Sequence, residues 1–129
     1  MGTAEAFLEF ASVGQVFHTR RGDFEALKDV NLRVSKGEFV CVIGHSGCGK
    51  STLLNMVSGF LEPSSGRVTL EGRPIERPGP DRMVVFQNYS LLPWQTVRQN
   101  VELAVRAARP ELDAKRRHEV VDHHLEMVH

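Results

Sequence analysis

Two cysteines, one tryptophan, one tyrosine and no surplus of charge of either sign mark what this 129-residue chain does without. With only Cys41 and Cys48, and no CxxC pair, a disulfide framework and a cysteine-based zinc site are both out of reach. A reduced, cytosolic chain is the simple expectation. Sixteen basic residues balance sixteen acidic ones, which argues against a nucleic-acid clamp or a basic membrane-surface protein. No apolar run is long enough to cross a bilayer. The opening MGTAEAFLEF has no basic stretch followed by a long apolar one, so no signal peptide is read there. Ala6 stands where a myristoylation signal wants Ser or Thr.

What is present suits one domain at most: 41% of residues are hydrophobic, enough for a packed core. FLEFASVGQVFHT reads as one or two strands, and RRGD as a turn. In VNLRV, Val30, Leu32 and Val34 alternate with Asn31 and Arg33, the pattern of a half-buried strand. Residues 39–43, FVCVI, are continuously apolar, which predicts a strand covered on both faces with Cys41 as a small core residue. A helix is expected over 51–60, stopped near Gly59. RVTLEGRPI predicts a hairpin turning at Gly72-Arg73, and RMVVF a second buried strand ending at Gln87. TVRQNVELAVRAA carries Val97, Val101, Ala104, Val105 and Ala108 on one helical face. Thr96 and Gln99 supply a capping box, and Pro110 ends that helix. The tail from Glu111 predicts a last helix with Val121, Leu125 and Val128 on one side.

Between the FVCVI run and the helix lies Gly44-His45-Ser46-Gly47-Cys48-Gly49-Lys50-Ser51, an uninterrupted G-x-x-x-x-G-K-[ST] phosphate loop. Its glycines let successive backbone N–H groups turn toward one anion, and the helix N-terminus adds unpaired donors and positive potential. Lys50 offers a mobile cation to β- and γ-phosphates, Ser51 a hydroxyl to Mg2+, and Thr52 a hydroxyl to a nearer phosphate. A glycine-rich turn with a stray lysine is the bland rival, and the strand-loop-helix context disfavours it.

ALKDVNLRVSKGEFVCVIGHSGCGKSTLLNMVSGFLEPSSGRVTLEGRPI and MVVFQNYSLLPWQTVRQNVELAV together resemble the ATP-binding subunit of ABC transporters over nearly the whole chain. Within that family, GPDRMVVFQNYSLLPW followed by TVRQNV is similar to importers of nitrate, cyanate, sulfonate or taurine, with the nitrate/cyanate branch nearest. The resemblance implies an α/β P-loop NTPase fold, here partial: an antiparallel β layer, an incomplete parallel core sheet around the P-loop helix, and the start of a helical subdomain. It implies ATP and Mg2+ as ligands. Gln87 matches the glutamine that approaches Mg2+ and the attacking water; a polar residue closing a strand is its bland reading. Phe17 matches the aromatic that stacks on adenine, with His18 beside it as a rival and a core aromatic as the bland alternative. Leu92, Pro93 and Trp94 match the surface that meets the transmembrane permease subunit, though a tryptophan buried to pin its loop fits equally. A second ATPase subunit and a place on the inner, cytoplasmic face of the cell membrane follow from the same likeness.

His118, His123, His124 and His129 read as a solvated helix face rather than a metal site, since adjacent histidines diverge by about 100° on a helix. Arg20-Arg21 reads as a turn. The family's signature sequence, Walker B aspartate, catalytic glutamate and switch histidine have no counterpart in the 129 residues, so 1–129 is expected to be the N-terminal portion of such a domain and not hydrolytic alone. The rival functions are a nucleotide-binding interaction module without turnover and an unrelated P-loop nucleotide kinase. The kinase would call for an arginine-rich lid that is not seen.

Overall fold

Alternating apolar and polar residues on either side of the Arg20-Arg21 turn pair into one long hairpin. The computed structural model describes residues 6–128. Strand β1 (Leu8–Thr19) runs antiparallel to β2 (Gly22–Val34), from Leu8 opposite Val34 to Thr19 opposite Gly22. The FLEFASVGQVFHT stretch is thus a single strand, and the VNLRV alternation is the second half of β2, with Val30, Leu32 and Val34 half-buried and Asn31 and Arg33 exposed. Strand β3 (Ser65–Leu70) pairs with the other edge of β1, and the two-residue β4 (Arg73–Pro74) closes a hairpin that turns at Glu71-Gly72, one residue earlier than the expected Gly72-Arg73, because Arg73 already pairs with Leu70. The order is β2-β1-β3-β4, antiparallel throughout.

The sheet bends where its ladder is interrupted. Register shifts between Phe10 and Val16 accompany left-handed backbone at Ser12 (φ 48°) and Asp29 (φ 44°). Such bulges cost strain unless side chains hold them. The Asn31 carboxamide does so, accepting from the Ser12 N–H at 2.9 Å and donating to the Asp29 carbonyl at 3.0 Å. Gly66 meets the same bulge from β3 at φ 74°, and a Cβ there would run into the Ser12 carbonyl. Buried Gln15 ties the bulge to the next loop, accepting from the Ser64 N–H at 3.2 Å.

One sheet face is covered by helix α1 (Lys50–Ser58), which begins one residue before the expected 51 and stops at Gly59. Phe10, Val13, Leu27, Met56, Val68 and Ile75 form the buried core, with Leu53 and Val57 packed against it. Met56 is 1% exposed, and with Leu53 and Val57 it seats α1 on the sheet.

Residues 39–43 depart from expectation. They form no strand, and Phe39 and Ile43 are 94% and 88% exposed. Cys41 is exposed too, not a core residue. Nor do residues 82–86 form the second buried strand. A parallel strand is held by neighbours on both edges and covers on both faces. Among the described residues no strand pairs with either run, so the expected parallel core sheet is not built and the apolar side chains stay in solvent.

The chain packs as two compact units, Met1–Val84 and Val85–His129. In the second, α2 (Val97–Ala108) starts with the predicted capping box: the Thr96 hydroxyl accepts from the Gln99 N–H at 3.2 Å, and the Gln99 carboxamide accepts from the Thr96 N–H at 2.9 Å. Helix α3 (Ala114–Val128) starts three residues later than expected, its first turn receiving the Asp113 carboxylate on the Arg116 N–H at 2.8 Å. Val121 is buried and Leu125 half-buried, while Val128 is exposed. Of the apolar stripe on α2, Val101 and Val105 are half-buried and Val97, Ala104 and Ala108 exposed. An Arg98–Asp122 ion pair links the two helices at 2.5 Å.

Candidate functional site

A helix that starts on glycine has no side chain to satisfy its first N–H groups. Helix α1 is such a helix: Gly49 is its N-cap, no side chain caps it, and its first turn holds no acidic residue. The Leu53 N–H bonds to the Gly49 carbonyl at 3.0 Å, which leaves the N–H groups of Lys50, Ser51 and Thr52 directed out of the helix end. Gly49 lies at φ 96°, and a Cβ there would sit 2.7 Å from a Leu27 methyl carbon and 3.0 Å from the Ala26 carbonyl. Glycine is therefore required twice over, by backbone angle and by the close pass of β2. The result is a donor-rich helix end pressed against the sheet, suited to a multiply charged anion.

Lys50 folds back over the loop. Its ammonium donates to the Gly44 carbonyl at 2.7 Å, to the His45 carbonyl at 2.7 Å and to the Cys48 sulfur at 3.3 Å. The three acceptors thus draw the loop into a ring around the cation. The Cys48 N–H reaches the His45 carbonyl at 3.4 Å, and Gly47 turns the chain at φ 81°. His45 and Ser46 are exposed at the loop's outer rim, and the Ser51 hydroxyl is exposed at the helix start.

A cleft of 190 Å3 opens beside this loop, lined by Phe17, Phe24, Ala26, Gly47, Gly49, Lys50, Ser51 and Thr52. Phe17, the candidate base-stacking residue, is in it. His18 is not: it is the next residue along β1 and pairs with Asp23 at 2.7 Å. Alternation along a strand sends the two side chains to opposite faces. Phe24 was not singled out from sequence, yet it sits opposite Phe17 in the strand register and shares the cleft. The signal for it was available only through the two-residue turn at Arg20-Arg21, which sets that register.

Gln87 and the Leu92-Pro93-Trp94 segment belong to the second unit. Gln87 is exposed and outside any regular element. Trp94 is 76% exposed, so it does not pin its loop by burial. Asn100 does the pinning: its carboxamide accepts from the Leu92 N–H at 2.8 Å and donates to the Leu92 carbonyl at 3.2 Å and the Thr96 carbonyl at 3.0 Å. His118 and His124 each bond a carbonyl one helical turn back, at 3.0 and 2.7 Å. Among the described residues no three His, Cys, Asp or Glu side chains gather to hold a metal; His129 lies outside them.

The family model of the ABC transporter matches residues 27–129. The chain belongs to the ABC transporter family. Its ATP-binding relatives include the nitrate import ATP-binding protein NrtD of Synechococcus elongatus, 66% identical over 95% of this chain and 44% of that protein. The bicarbonate transport ATP-binding protein CmpD of the same organism is 56% identical over 96% of this chain and 45% of its own length. Among solved structures, the post-hydrolysis dimer of the ATP-binding cassette MJ0796 bound to ADP and Pi superposes with a TM-score of 0.77 at 29% identity, over 93% of this chain and 56% of that one. The fold is therefore that of an ABC ATPase cassette in part, as the resemblance implied. The chain spans less than half the length of the curated relatives it matches. No helix among the described residues is long and apolar enough to cross a membrane.

Proposed function

We propose that this chain is the N-terminal portion of the ATP-binding domain of an ABC importer for a small anion, nitrate foremost, and that it binds MgATP through the loop from Gly44 to Thr52. The observation that carries the reading is the cleft itself: an uncapped helix end, a loop cation and an aromatic wall converge on one open space. In this assignment the backbone N–H groups of Gly47 through Thr52, with Gly44, His45 and Ser46 completing the loop, cradle the phosphates. Lys50 exchanges its loop carbonyls for β- and γ-phosphate oxygens, because an anionic acceptor adds the attraction of opposite full charges to the hydrogen bond that the ammonium already makes. Ser51 would offer its hydroxyl to Mg2+ and Phe17 would carry adenine; Gln87, in the second unit, is assigned to the metal and water on the sequence resemblance alone. Mg2+ supplies charge neutralisation across the phosphates.

The exposed Trp94, with Leu92 and Pro93, is the proposed contact with the transmembrane permease subunit. Exposed aromatics on a loop held rigid by Asn100 are the kind of anchor such interfaces use. A second ATPase subunit and the cytoplasmic face of the membrane complete the proposal. The relatives that transport nitrate and bicarbonate both handle small oxyanions, which supports the solute class.

Calorimetric titration with MgATP tests the phosphate cradle. Lys50→Ala removes the cation, and Gly49→Val both strains the N-cap and strikes Leu27 and Ala26. Each should weaken binding by at least about 2 kcal/mol, some thirty-fold. Equal affinity in wild type and Lys50→Ala, with circular dichroism showing both folded, would remove the reading.

A further inference from the structure

A second cavity, of 880 Å3, lies within the first unit and shares no residue with the phosphate-loop cleft. Its volume falls in the range of about 300–1,000 Å3 that small-molecule sites occupy. Lys36 flanks it from beyond the end of β2, the β3–β4 hairpin supplies Arg73, and the loop from Glu76 to Arg82 walls the rest. That loop carries Pro78 and Pro80 and is closed on itself by Arg82. The Arg82 guanidinium donates to the Arg77 carbonyl at 2.7 Å, and its backbone N–H donates to the Gly79 carbonyl at 3.2 Å. The loop also rests on Gly59, where a Cβ would lie 2.4 Å from the Arg77 carbonyl oxygen. The wall is therefore built before any ligand arrives.

Four cations and three carboxylates line the cavity. Two of the carboxylates are engaged: Glu71 accepts from Lys36 at 3.3 Å, and Asp81 lies 3.5 Å from Arg82. Arg73 and Arg77 are not: neither guanidinium pairs with a carboxylate among the described residues, the neighbouring Glu76 included. Arg82 adds an unused donor. Its side chain is only 13% exposed, and its Nε is buried with no hydrogen-bond partner. Buried donors are nearly always satisfied, so an orphaned one beside two unpaired guanidiniums marks a missing acceptor. We propose that this cavity binds a multiply charged oxyanion, one bearing at least two carboxylate or phosphate groups, through Arg73 and Arg77, with Arg82 giving its Nε as the guanidinium turns toward the ligand. A guanidinium meets a carboxylate or phosphate with two parallel charge-assisted bonds, so two unpaired forks suit a ligand with two such groups. A singly charged anion would leave one fork unused.

The test uses the whole chain carrying Lys50→Ala, so that the phosphate loop lacks its cation. Calorimetry titrates it with citrate and with inorganic pyrophosphate, without magnesium. At least one should bind with a dissociation constant below about 1 mM. Tighter citrate assigns the site to carboxylates, and tighter pyrophosphate assigns it to phosphates. Adding Arg73→Gln or Arg77→Gln should weaken the tighter ligand by at least about ten-fold each, since either removes a charge-assisted pair. Arg77→Lys keeps the charge without the planar fork and should still bind several-fold more weakly. Circular dichroism checks that each variant is folded. No binding of either ligand below about 1 mM, or unchanged affinity in both glutamine variants, would overturn the site. Arg77→Lys binding as tightly as its parent would overturn the forked contact, leaving only diffuse attraction between charges.

Discussion

Cys48 shows how one residue reports on the loop. Its sulfur accepts from Lys50 at 3.3 Å, and it is exposed at the rim of the proposed phosphate cradle. Cys41, expected in the core, is exposed as well. With both thiols exposed, protection by nucleotide, and not labelling rate, tells the two apart. Nucleotide phosphates seated on the loop cover Cys48 and leave Cys41 free. With MgATP at ten times its dissociation constant, maleimide labelling of Cys48 should slow about ten-fold, because only a tenth of the loops stay empty. Cys41 should label at an unchanged rate. Peptide mass spectrometry separates the two. Equal slowing of both cysteines would point to a general closing of the chain, and no slowing of Cys48 would place the phosphates elsewhere.

At the level of elements, local chemistry was legible and long-range pairing was not. The capping box at Thr96 and Gln99, the glycine stop at Gly59 and the β3–β4 hairpin depend on residues within a few positions of one another. So does the phosphate loop, whose spacing alone marks Gly44 to Ser51. The apolar run at 39–43 carries the same composition as a buried strand, but a strand is defined by its partners, and no strand among the described residues pairs with it. Phe24 escaped notice because its meaning comes from standing opposite Phe17, and the Ser12 bulge because Asn31 holds it from across the ladder. Local devices also predict local losses. Thr96→Ala leaves the Gln99 N–H without its partner and should cost about 1 kcal/mol in the second unit. Asn100→Ala releases the Leu92 N–H and the Leu92 and Thr96 carbonyls together, so the loop from 92 to 96 should lose order. Hydrogen exchange at the Leu92 amide reads this directly: faster exchange in Asn100→Ala, with the Thr96→Ala change centred on Gln99. Unaltered exchange at Leu92 would mean that the carboxamide clamp does not govern the loop.

For the molecule as a whole, binding a nucleotide and turning it over make different demands. Phosphoryl transfer to water is mostly positioning and charge stabilisation, with a group that orients or polarises the attacking water. The cleft lining holds a cation, two hydroxyls, glycines and apolar side chains, and not one carboxylate. Gln87 carries a carboxamide, which can orient water but accepts no proton at neutral pH. A purified chain should therefore bind MgATP and hydrolyse it far below the roughly 1 s−1 at the low end of common enzyme turnover. Each absent electrostatic or positioning group typically costs about 10²–10³ in rate, and such groups act together rather than separately. A steady-state phosphate-release assay on the soluble chain decides the matter, with Lys50→Ala as the control for contaminating ATPases. Residual release that is equal in wild type and Lys50→Ala belongs to a contaminant and agrees with a binding-only chain. Release near 1 s−1 that Lys50→Ala abolishes would mean that a residue outside the described cleft serves as base.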